Sequence, residues 1–529
     1  MSRIDVSHLT FYYDGSYENV FEDVSFQIDT DWKLGFIGRN GRGKTTFLKL
    51  LLGEYEYRGT ISSDVVFDYF PCRVSDKTKQ TIEVVEELAP DYEFWELCRE
   101  WSYLKGADDV WFRPFETLSN GEQTKLLLAV LFLRQEHFLL IDEPTNHLDM
   151  ETRQVVCDYL RRKKGFILVS HDRAFLDGCI DHVLSINRQG IEVVQGNFSS
   201  WWENKERQDA YELAEHEKLK KDIKRLSAAA RQAKGWADAV EATKIGKKSF
   251  ENGEKVGLRD YIGEKSRRMQ KRRKNLERRR ETELEEKSKL LKNVESQEEL
   301  RLVTASYHKD LLVEAKEVSL SYLMEDGAGQ KKVCSGLSFE LRQGDCLVLK
   351  GPNGCGKSTV LQAVLAAAGA VPAYAKQTGA CGKPQIEKGN LTVSSGLKIS
   401  YVSQDASWLC GSLADYIAEE KIDETLFKQF LRKLDFSRSQ FEKRMEEFSE
   451  GQKKKVLLAR SLCDAAHVYI WDEPLNFIDI FSRVQLEELI LAYRPTMLMV
   501  EHDKSFVERV GTKVVELSQA CNLKKSMLP

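Results

Sequence analysis

The chain has 529 residues, 42% hydrophobic and 31% charged, a length that suits two or three globular domains. Its eleven scattered cysteines and a start, MSRIDVSHLT, without the features of a secretory signal predict a reducing, cytoplasmic location. The apolar runs of the sequence are shorter than the ~20 residues needed to span a membrane. The net charge of −4 conceals a basic segment at 221–280, which has 20 Lys+Arg against 8 Asp+Glu.

The first phosphate loop, GRNGRGKT at 38–45, satisfies the pattern G-x-x-x-x-G-K-[ST] and follows a short apolar run, as expected after a strand. In such a loop, glycines let backbone amides close around phosphate oxygens, lysine neutralises the terminal phosphates, and the next hydroxyl ligates Mg²⁺. ATP and Mg²⁺ are therefore the expected ligands. The residues expected at the nucleotide are Gly38, Asn40, Gly41, Gly43, Lys44, Thr45 and Thr46.

The apolar strand HFLLIDE at 137–143 ends in two acids. Asp142 suits Mg²⁺ binding through water, together with Thr45, and Glu143 suits polarisation of the attacking water, because phosphoryl transfer depends on positioning and charge stabilisation. An apolar run ending in two acids is by itself more often a plain strand end. The order of the motifs favours the catalytic interpretation.

The segment from 203 to 300 is dense in Glu, Lys, Arg and Ala, which predicts long helices. Apolar residues from Leu219 to Val240 recur at spacings of 3 and 4, the seam of a coiled coil, and a second run supplies the partner helix. We expect an antiparallel hairpin at 199–305 with its tip at about 240–262.

Residues 265–280 of this hairpin contain ten basic residues and one acidic residue. Such a density predicts contact with RNA phosphates, although a solvated helix face is the alternative. The residues expected at RNA are Arg267, Arg268, Lys271, Arg272, Arg273 and Lys274.

The second half repeats the motifs of the first in the same order, with GPNGCGKS at 351–358 and HVYIWDE at 467–473. The repeat predicts two related domains, at 1–198 and 306–529. Glu473 is the second candidate for polarising water, and Ser358 and Asp472 are the second pair for Mg²⁺. The second phosphate site is expected to comprise Gly351, Asn353, Gly354, Gly356, Lys357, Ser358 and Thr359.

Two serine motifs, LSNGEQTK at 118–125 and FSEGQKKK at 448–455, open apolar helices between the loops and the acidic strands. Alone, each would be a capped helix start. In this context they resemble the signature motif of the ATP-binding cassette family. The resemblance implies α/β cassettes, each with a mixed sheet and a helical subdomain, and nucleotide held between the phosphate loop of one cassette and the serine motif of the other. The implied contacts are Ser119, Gly121, Glu122, Ser449, Gly451 and Gln452.

The resemblance extends to single residues. His171 and His502 match the family's switch histidine, which contacts the γ-phosphate and orients water, and are therefore candidate catalytic residues. Tyr13 and Tyr322 match the aromatic residue that stacks on adenine, although packing roles are equally open. Asp149 and Asp479 match the aspartate that the family has in the loop between its two sites.

The first copy departs from the family pattern at one metal position. The family places a glutamine near Mg²⁺ at the end of a strand, which Gln404 supplies in the second copy, whereas the first has Cys72. A thiol is a poor ligand for a hard cation. The two sites are therefore expected to be inequivalent.

Two fused cassettes joined by a basic hairpin look like the ABC-F proteins, as do SHDRAFLD at 170–177 and GNFSSWW at 196–202. That resemblance implies a protein that enters the ribosomal exit site in its ATP-closed form, contacts ribosomal RNA and P-site transfer RNA, and leaves on hydrolysis. Because the two cassettes can pair within one chain, we expect a monomer. Only 46 residues separate Cys72 from Ser119, which leaves no room for the inserted arm of some housekeeping members. Segments such as LKISYVSQD resemble those of members that protect ribosomes from lincosamides, pleuromutilins and streptogramin A.

Three alternatives remain open. A housekeeping ABC-F translation factor is the nearest, and drug susceptibility would separate it from a resistance protein. The soluble ATPase of a membrane transporter has no use for a long basic hairpin. A nucleic-acid tethering ATPase should have a far longer coiled coil and a hinge domain.

Overall fold

The computed structural model describes most of the chain as two compact units. One comprises Met1–Ile186, Gly190–Ser199 and Gln297–Pro529, and the other comprises Asn187–Gln189 and Ser200–Ser296. The residues described are 2–13, 19–134, 137–146, 148–187, 190–245, nine positions between 264 and 282, 302–323, 330–369 and 384–517.

The first cassette contains two sheets. Strands β1 (Arg3–Phe11), β2 (Phe21–Asp29) and β4 (Arg58–Ser63) pair antiparallel in the order β2-β1-β4. The larger sheet has the order β5-β6-β7-β3-β8-β9, and its strands from β5 to β8 are parallel, so their carboxyl ends meet at one edge. Its strands are β3 (Lys33–Ile37), β5 (Val66–Phe70), β6 (His137–Asp142), β7 (Phe166–Val169), β8 (His182–Asn187) and β9 (Gly190–Gln195).

The helices of the first cassette follow from its motifs. Helix α4 begins where the Ser119 hydroxyl accepts a hydrogen bond from the amide of Glu122, and its residues Leu126 to Leu131 are buried. The helices are α1 (Lys44–Leu51), α2 (Thr81–Leu88), α3 (Phe94–Tyr103), α4 (Asn120–Leu131), α5 (Met150–Arg161) and α6 (Arg173–Cys179), with 3₁₀ turns at Asp108–Phe112 and Phe115–Thr117.

The linker begins with the 48-residue helix α7 (Phe198–Ile245). At 1.5 Å per residue it is about 70 Å long, which agrees with the long helix expected from the sequence. The nine described positions between 264 and 282 are helical and exposed. Most of the predicted tip, Arg272, Arg273 and the side chains of the coiled-coil seam lie outside the described residues, so the hairpin remains a prediction.

The second cassette repeats this arrangement. Its antiparallel sheet has the order β11-β10-β13, and its parallel sheet has the order β14-β15-β16-β12-β17. The strands are β10 (Leu311–Leu323), β11 (Gln330–Arg342), β12 (Cys346–Lys350), β13 (Gln385–Val393), β14 (Ile399–Val402), β15 (Val468–Asp472), β16 (Met497–Val500) and β17 (Lys513–Glu516). The helices are α8 (Lys357–Ala367), α9 (Leu413–Glu420), α10 (Glu424–Lys433), α11 (Glu450–Cys463), α12 (Ile480–Tyr493) and α13 (Lys504–Val510).

In both cassettes the strand before the phosphate loop and the acidic strand flank a common neighbour, β7 or β16. The phosphate loop, the acid pair and the histidine that follows this neighbour therefore meet at the carboxyl edge of each parallel sheet. Among the described helices, none combines the length and the apolar character needed to span a bilayer.

Candidate nucleotide sites

The first phosphate loop is held in a shape that requires glycine. Gly43 precedes α1 with φ of 90°, and a Cβ there would lie 2.5 Å from Val20 Cγ1. The buried Lys44 Nζ donates to the carbonyl oxygens of Gly38, at 2.7 Å, and Arg39, at 3.2 Å. Burial lowers the pKa of Lys44 despite nearby carboxylates. In the second loop, Lys357 Nζ donates to the carbonyl of Gly351 at 2.8 Å.

The hydroxyl after each lysine meets the aspartate of the acidic strand. Thr45 Oγ1 donates to Asp142 Oδ2 at 2.9 Å, and the Ser358 side chain hydrogen-bonds to Asp472. Burial raises the pKa of Asp142, and it raises the pKa of Asp472 to about 6. Within the described part of the chain, the buried Asp472 Oδ1 has no hydrogen-bond partner. An oxygen-rich pair with an unsatisfied carboxylate oxygen fits a hard cation such as Mg²⁺.

The glutamates that follow these aspartates have an unusual backbone conformation. Glu143 has φ of 48° and Glu473 has φ of 46°, in the left-handed region that glutamate rarely adopts. Their amides donate to Val169 and Val500 at the ends of the neighbouring strands, at 2.9 and 3.0 Å. Strain retained at the same point of both copies indicates a functional position.

The side chains of the two glutamates differ in their surroundings. Glu473 Oε2 accepts hydrogen bonds from Gln404 Nε2, at 2.9 Å, and Asn476 Nδ2, at 2.6 Å. Burial acts to raise the pKa of Glu473, but neighbours including His502 and Asn476 outweigh it and lower the pKa to about 2. For Glu143, burial and the adjacent carboxylate raise the pKa to about 8. The first glutamate therefore favours its protonated form and the second its ionised form.

Both switch histidines lie beside these glutamates. His171 Nε2 is 3.4 Å from Glu143 Oε1 and 3.1 Å from Asn40 Oδ1, and burial lowers the pKa of His171. His502 Nε2 is 3.5 Å from Glu473 Oε1, beyond a good hydrogen bond. Even so, His502 is the neighbour that lowers the pKa of Glu473 most.

The first phosphate loop contacts the second cassette directly. Asn40 Nδ2 donates to the carbonyl oxygen of Phe477 at 2.8 Å. A Cβ added at Gly451, in the second serine motif, would lie 2.5 Å from that oxygen and 3.0 Å from Asn40 Nδ2. Arg39 NH1 is 3.8 Å from Asp435, also in the second cassette. The loop that carries Lys44 therefore faces the serine motif that begins with Ser449.

The second phosphate loop faces the first cassette in the same manner. It lines a cavity of about 480 Å³ together with Asn120, the residue after Ser119. The backbone amide of Asn353 donates to Asp149 Oδ2 at 3.4 Å. This hydrogen bond is longer than the 2.8 Å bond by which Asn40 of the first loop reaches Phe477 of the second cassette.

The two candidate adenine-stacking tyrosines lie beside the phosphate-loop helices. Tyr13 OH is 2.6 Å from Thr46 Oγ1, and its ring is 43% exposed. Tyr322 OH donates to Gln362 Oε1 at 3.0 Å and lines the cavity of the second site with Thr359. Both rings thus have an accessible position next to a phosphate loop.

The serine motifs begin their helices with reciprocal caps. Ser119 Oγ donates to Glu122 Oε2 at 2.8 Å, while Ser449 Oγ accepts from the amide of Gln452 at 3.3 Å. Gly121 has ordinary contacts, with Thr152 Cγ2 3.5 Å from an added Cβ.

Sequence reasoning missed Lys454. Its side chain is almost fully buried, and Nζ donates to the carbonyl oxygens of Ser403 at 2.7 Å, Gln404 at 2.9 Å and Asp472 at 3.4 Å. It thereby ties the glutamine loop to the acidic strand. The signal was the run KKK at 453–455, where the first copy has QTK and places Thr124 at the equivalent position.

Thr124 instead lines a cleft of about 1350 Å³ that also includes Thr45, Tyr69 and Cys72. Tyr69 OH donates to Asp142 Oδ2 at 2.9 Å, a further contact that the sequence did not suggest. Burial raises the pKa of Cys72 to about 11, so the thiol stays protonated and is not a thiolate ligand.

Comparison with known proteins assigns the class. The family model described as ABC transporter matches residues 21–146 and 334–476, which is half of the chain. The chain therefore belongs to this family, and it is an ATPase with two ATP-binding cassettes. The predicted α/β fold with two cassettes is confirmed.

Individual proteins that are similar to this chain have names that describe narrower roles. The chain is 28% identical to ribosome protection protein VmlR of Bacillus subtilis (strain 168), covering 96% of this chain and 85% of that protein. It is 25% identical to energy-dependent translational throttle protein EttA of Haemophilus influenzae, covering 94% and 89%. The archaeal ribosome recycling factor aABCE1, solved in complex with stalk protein aP1, shares the fold with a TM-score of 0.57 at 17% identity, covering 96% and 87%. VmlR and EttA support the predicted assignment to the ABC-F family, and the solved structure supports the fold alone.

Proposed function

We propose that this chain is a cytoplasmic, ribosome-binding ATPase whose two ATP molecules, each with Mg²⁺, hold the cassettes together. The observation that carries the proposal is the contact between the Asn40 loop and the Gly451–Phe477 region of the other cassette. A γ-phosphate on Lys44 would be within reach of the Ser449 helix, whose N-terminus favours an anion. Nearly the whole chain is similar to VmlR, which is named a ribosome protection protein, and this similarity supports the ribosome as the partner.

In this proposal the chain's own groups position the hydrolysis. His502 and Asn476 lower the pKa of Glu473, and Gln404 and Asn476 orient its carboxylate, so it can accept a hydrogen bond from the attacking water. His502, whose Nε2 lies 3.5 Å from Glu473 Oε1, would contact the γ-phosphate. Bound Mg²⁺ would be held by Ser358 and Asp472 and would supply charge neutralisation. At the first site Thr45 and Asp142 would hold Mg²⁺ and His171 would contact the γ-phosphate, whereas Glu143 would accept a hydrogen bond from water only in its ionised form, which burial disfavours.

The linker is proposed as the RNA-contacting part of the chain, between cassettes at 1–198 and 306–529. Arg267, Arg268, Lys271 and Lys274 are exposed on a helix, and one of them, Arg268, has an acidic neighbour at 3.0 Å, Glu264. Exposed cations on a helix favour phosphate backbones, here those proposed to belong to ribosomal RNA and P-site transfer RNA. The chain would act as a monomer, because both halves of each site come from one polypeptide.

The test is sedimentation with purified bacterial ribosomes. The Glu143→Gln/Glu473→Gln chain, blocked in hydrolysis, should remain ribosome-bound in ATP and dissociate in ADP. Adding Lys44→Ala and Lys357→Ala, which removes the phosphate-binding cations, should abolish the ATP-dependent binding. Equal sedimentation of both chains, or none in ATP, would contradict ribosome binding by the ATP-closed form.

We further infer protection of the peptidyl transferase centre from lincosamides, pleuromutilins and streptogramin A, with release on hydrolysis. The similarity to VmlR supports this, as does the compact helical subdomain, where residues 73–118 hold only two short helices and two 3₁₀ turns. A susceptible bacterium expressing the chain should tolerate higher drug concentrations, and the Lys44→Ala/Lys357→Ala chain should give no tolerance. Unchanged tolerance with intact ribosome binding would favour the housekeeping role, which the similarity to EttA supports.

A further inference from the structure

The helical subdomain of the first cassette exposes four aromatic side chains. Phe94, Trp95 and Tyr103 on α3 are 50%, 59% and 43% exposed, and Phe112 in the following 3₁₀ turn is 77% exposed. Positions 95, 99 and 103 are four residues apart and share one helix face. The Phe94 ring is 6.0 Å from Trp111, which connects α3 to the turn that carries Phe112. We call these four residues the aromatic surface.

The second cassette shows that the fold does not require these rings. Helix α10 and its 3₁₀ turn, Arg438–Glu442, lie 330 residues after their counterparts in the first cassette. The inward positions are apolar in both copies, as at Leu97 and Phe427 or Trp101 and Leu431. In place of the aromatic surface the second copy has Glu424, Thr425, Lys433 and Glu442.

The charge around the aromatic surface differs as well. Residues 81–117 contain 3 Lys+Arg and 10 Asp+Glu, a net charge of −7. The corresponding residues 413–447 contain 7 Lys+Arg and 9 Asp+Glu, a net charge of −2. Such a negative field repels nucleic acid phosphates and attracts cationic polypeptide.

Two of the rings already bind guanidinium groups of this chain. Arg99 lies over the Trp95 ring at 5.1 Å from the centroid, and Arg162 lies over Tyr103 at 5.0 Å. Aromatic faces attract arginine and lysine through their quadrupole. Grouped exposed aromatics, unlike scattered apolar side chains, mark protein-binding surfaces.

We propose that the aromatic surface docks a lysine- and arginine-rich polypeptide segment of the ribosome. The inference rests on the proposed function for the identity of the assembly, and on the rings and the acidic field for the chemistry of the segment. The basic linker would contact RNA, whereas the acidic helical subdomain of the first cassette would contact a basic protein segment.

The test replaces the four residues of the aromatic surface by the residues at the corresponding positions of the second cassette. Phe94→Glu, Trp95→Thr, Tyr103→Lys and Phe112→Glu, made together in the Glu143→Gln/Glu473→Gln chain, should weaken ATP-dependent ribosome binding about tenfold. In the otherwise unmutated chain the same four changes should leave ATP hydrolysis without ribosomes unaltered, which checks folding. The matched control is Leu491→Glu, 42% exposed on α12, which should bind ribosomes normally. Unchanged binding by the fourfold variant would overturn the proposal.

A photo-crosslinking residue in place of Phe112 identifies the partner class. On ATP-bound complexes with purified ribosomes, we expect crosslinks to a basic ribosomal protein. Crosslinks to ribosomal RNA alone, or only within this chain or to a second copy, would overturn the proposal. If the parent chain failed to sediment with ribosomes, the proposed function would fall first; if it sediments and the surface variants bind equally, only the docking surface is wrong.

Discussion

The two candidate nucleotide sites share their motifs but differ in the groups that surround the glutamate proposed to be catalytic. At the second site, Gln404 and Asn476 donate to Glu473, and Lys454 fixes the glutamine loop to the acidic strand. At the first site, Cys72 and Thr124 stand in place of Gln404 and Lys454 and line an open cleft together with Asn146, the counterpart of Asn476. Matching phosphate loops and acid pairs therefore do not make equivalent sites, because the orientation of the carboxylate also depends on residues outside them, such as Gln404.

The sites also differ in how closely the opposite cassette approaches. The first phosphate loop contacts the opposite cassette through the 2.8 Å hydrogen bond from Asn40 to Phe477, whereas the second loop meets Asp149 through a hydrogen bond of 3.4 Å. The first site thus has the tighter interface, and the second has the better-ordered catalytic groups. We expect the first nucleotide to serve mainly in holding the cassettes together and the second to be hydrolysed faster.

The largest expected effect separates the two glutamates. Glu473→Gln should lower steady-state ATP hydrolysis about a hundredfold, because it removes the oriented general base. Glu143→Gln, the matched change at the first site, should leave most of the turnover. Phosphate release measured at saturating ATP distinguishes them, and equal losses would show that the sites are equivalent.

A smaller effect should follow from Lys454→Thr, which gives the second site the residue found in the first. Three buried carbonyl oxygens lose their cationic donor and the glutamine loop loses its tether, so kcat should fall about tenfold with little change in KM. Lys454→Arg should restore much of kcat. The exposed Lys428→Thr on α10 is the control, and a rise in KM alone would assign Lys454 to nucleotide binding instead.

The smallest expected effect is an increase in ATP hydrolysis at the first site. Cys72→Gln in the Glu473→Gln background, where turnover comes from the first site, should raise hydrolysis several-fold by supplying an amide near Glu143. Cys72→Ala removes the thiol without adding a donor and should give no gain. If glutamine also gives none, the open cleft rather than the missing amide limits the first site.

Much of this arrangement was predictable from the sequence, because the phosphate loops, the acid pairs and the serine motifs are contiguous and recur in order. The inequivalence was visible in Cys72. The contact of Asn40 with Phe477 joins residues 437 positions apart, and no local pattern encodes it. The burial of Lys454 was equally hidden, because lysine in a helical motif normally indicates a solvated face.

The most direct measurement is a structure of the Glu143→Gln/Glu473→Gln chain with ATP and Mg²⁺. We predict the γ-phosphate on Lys44 within hydrogen-bonding distance of Ser449, and the γ-phosphate on Lys357 within the same distance of Ser119. Phosphates contacted only by the cassette whose lysine binds them would contradict the shared sites on which the account depends.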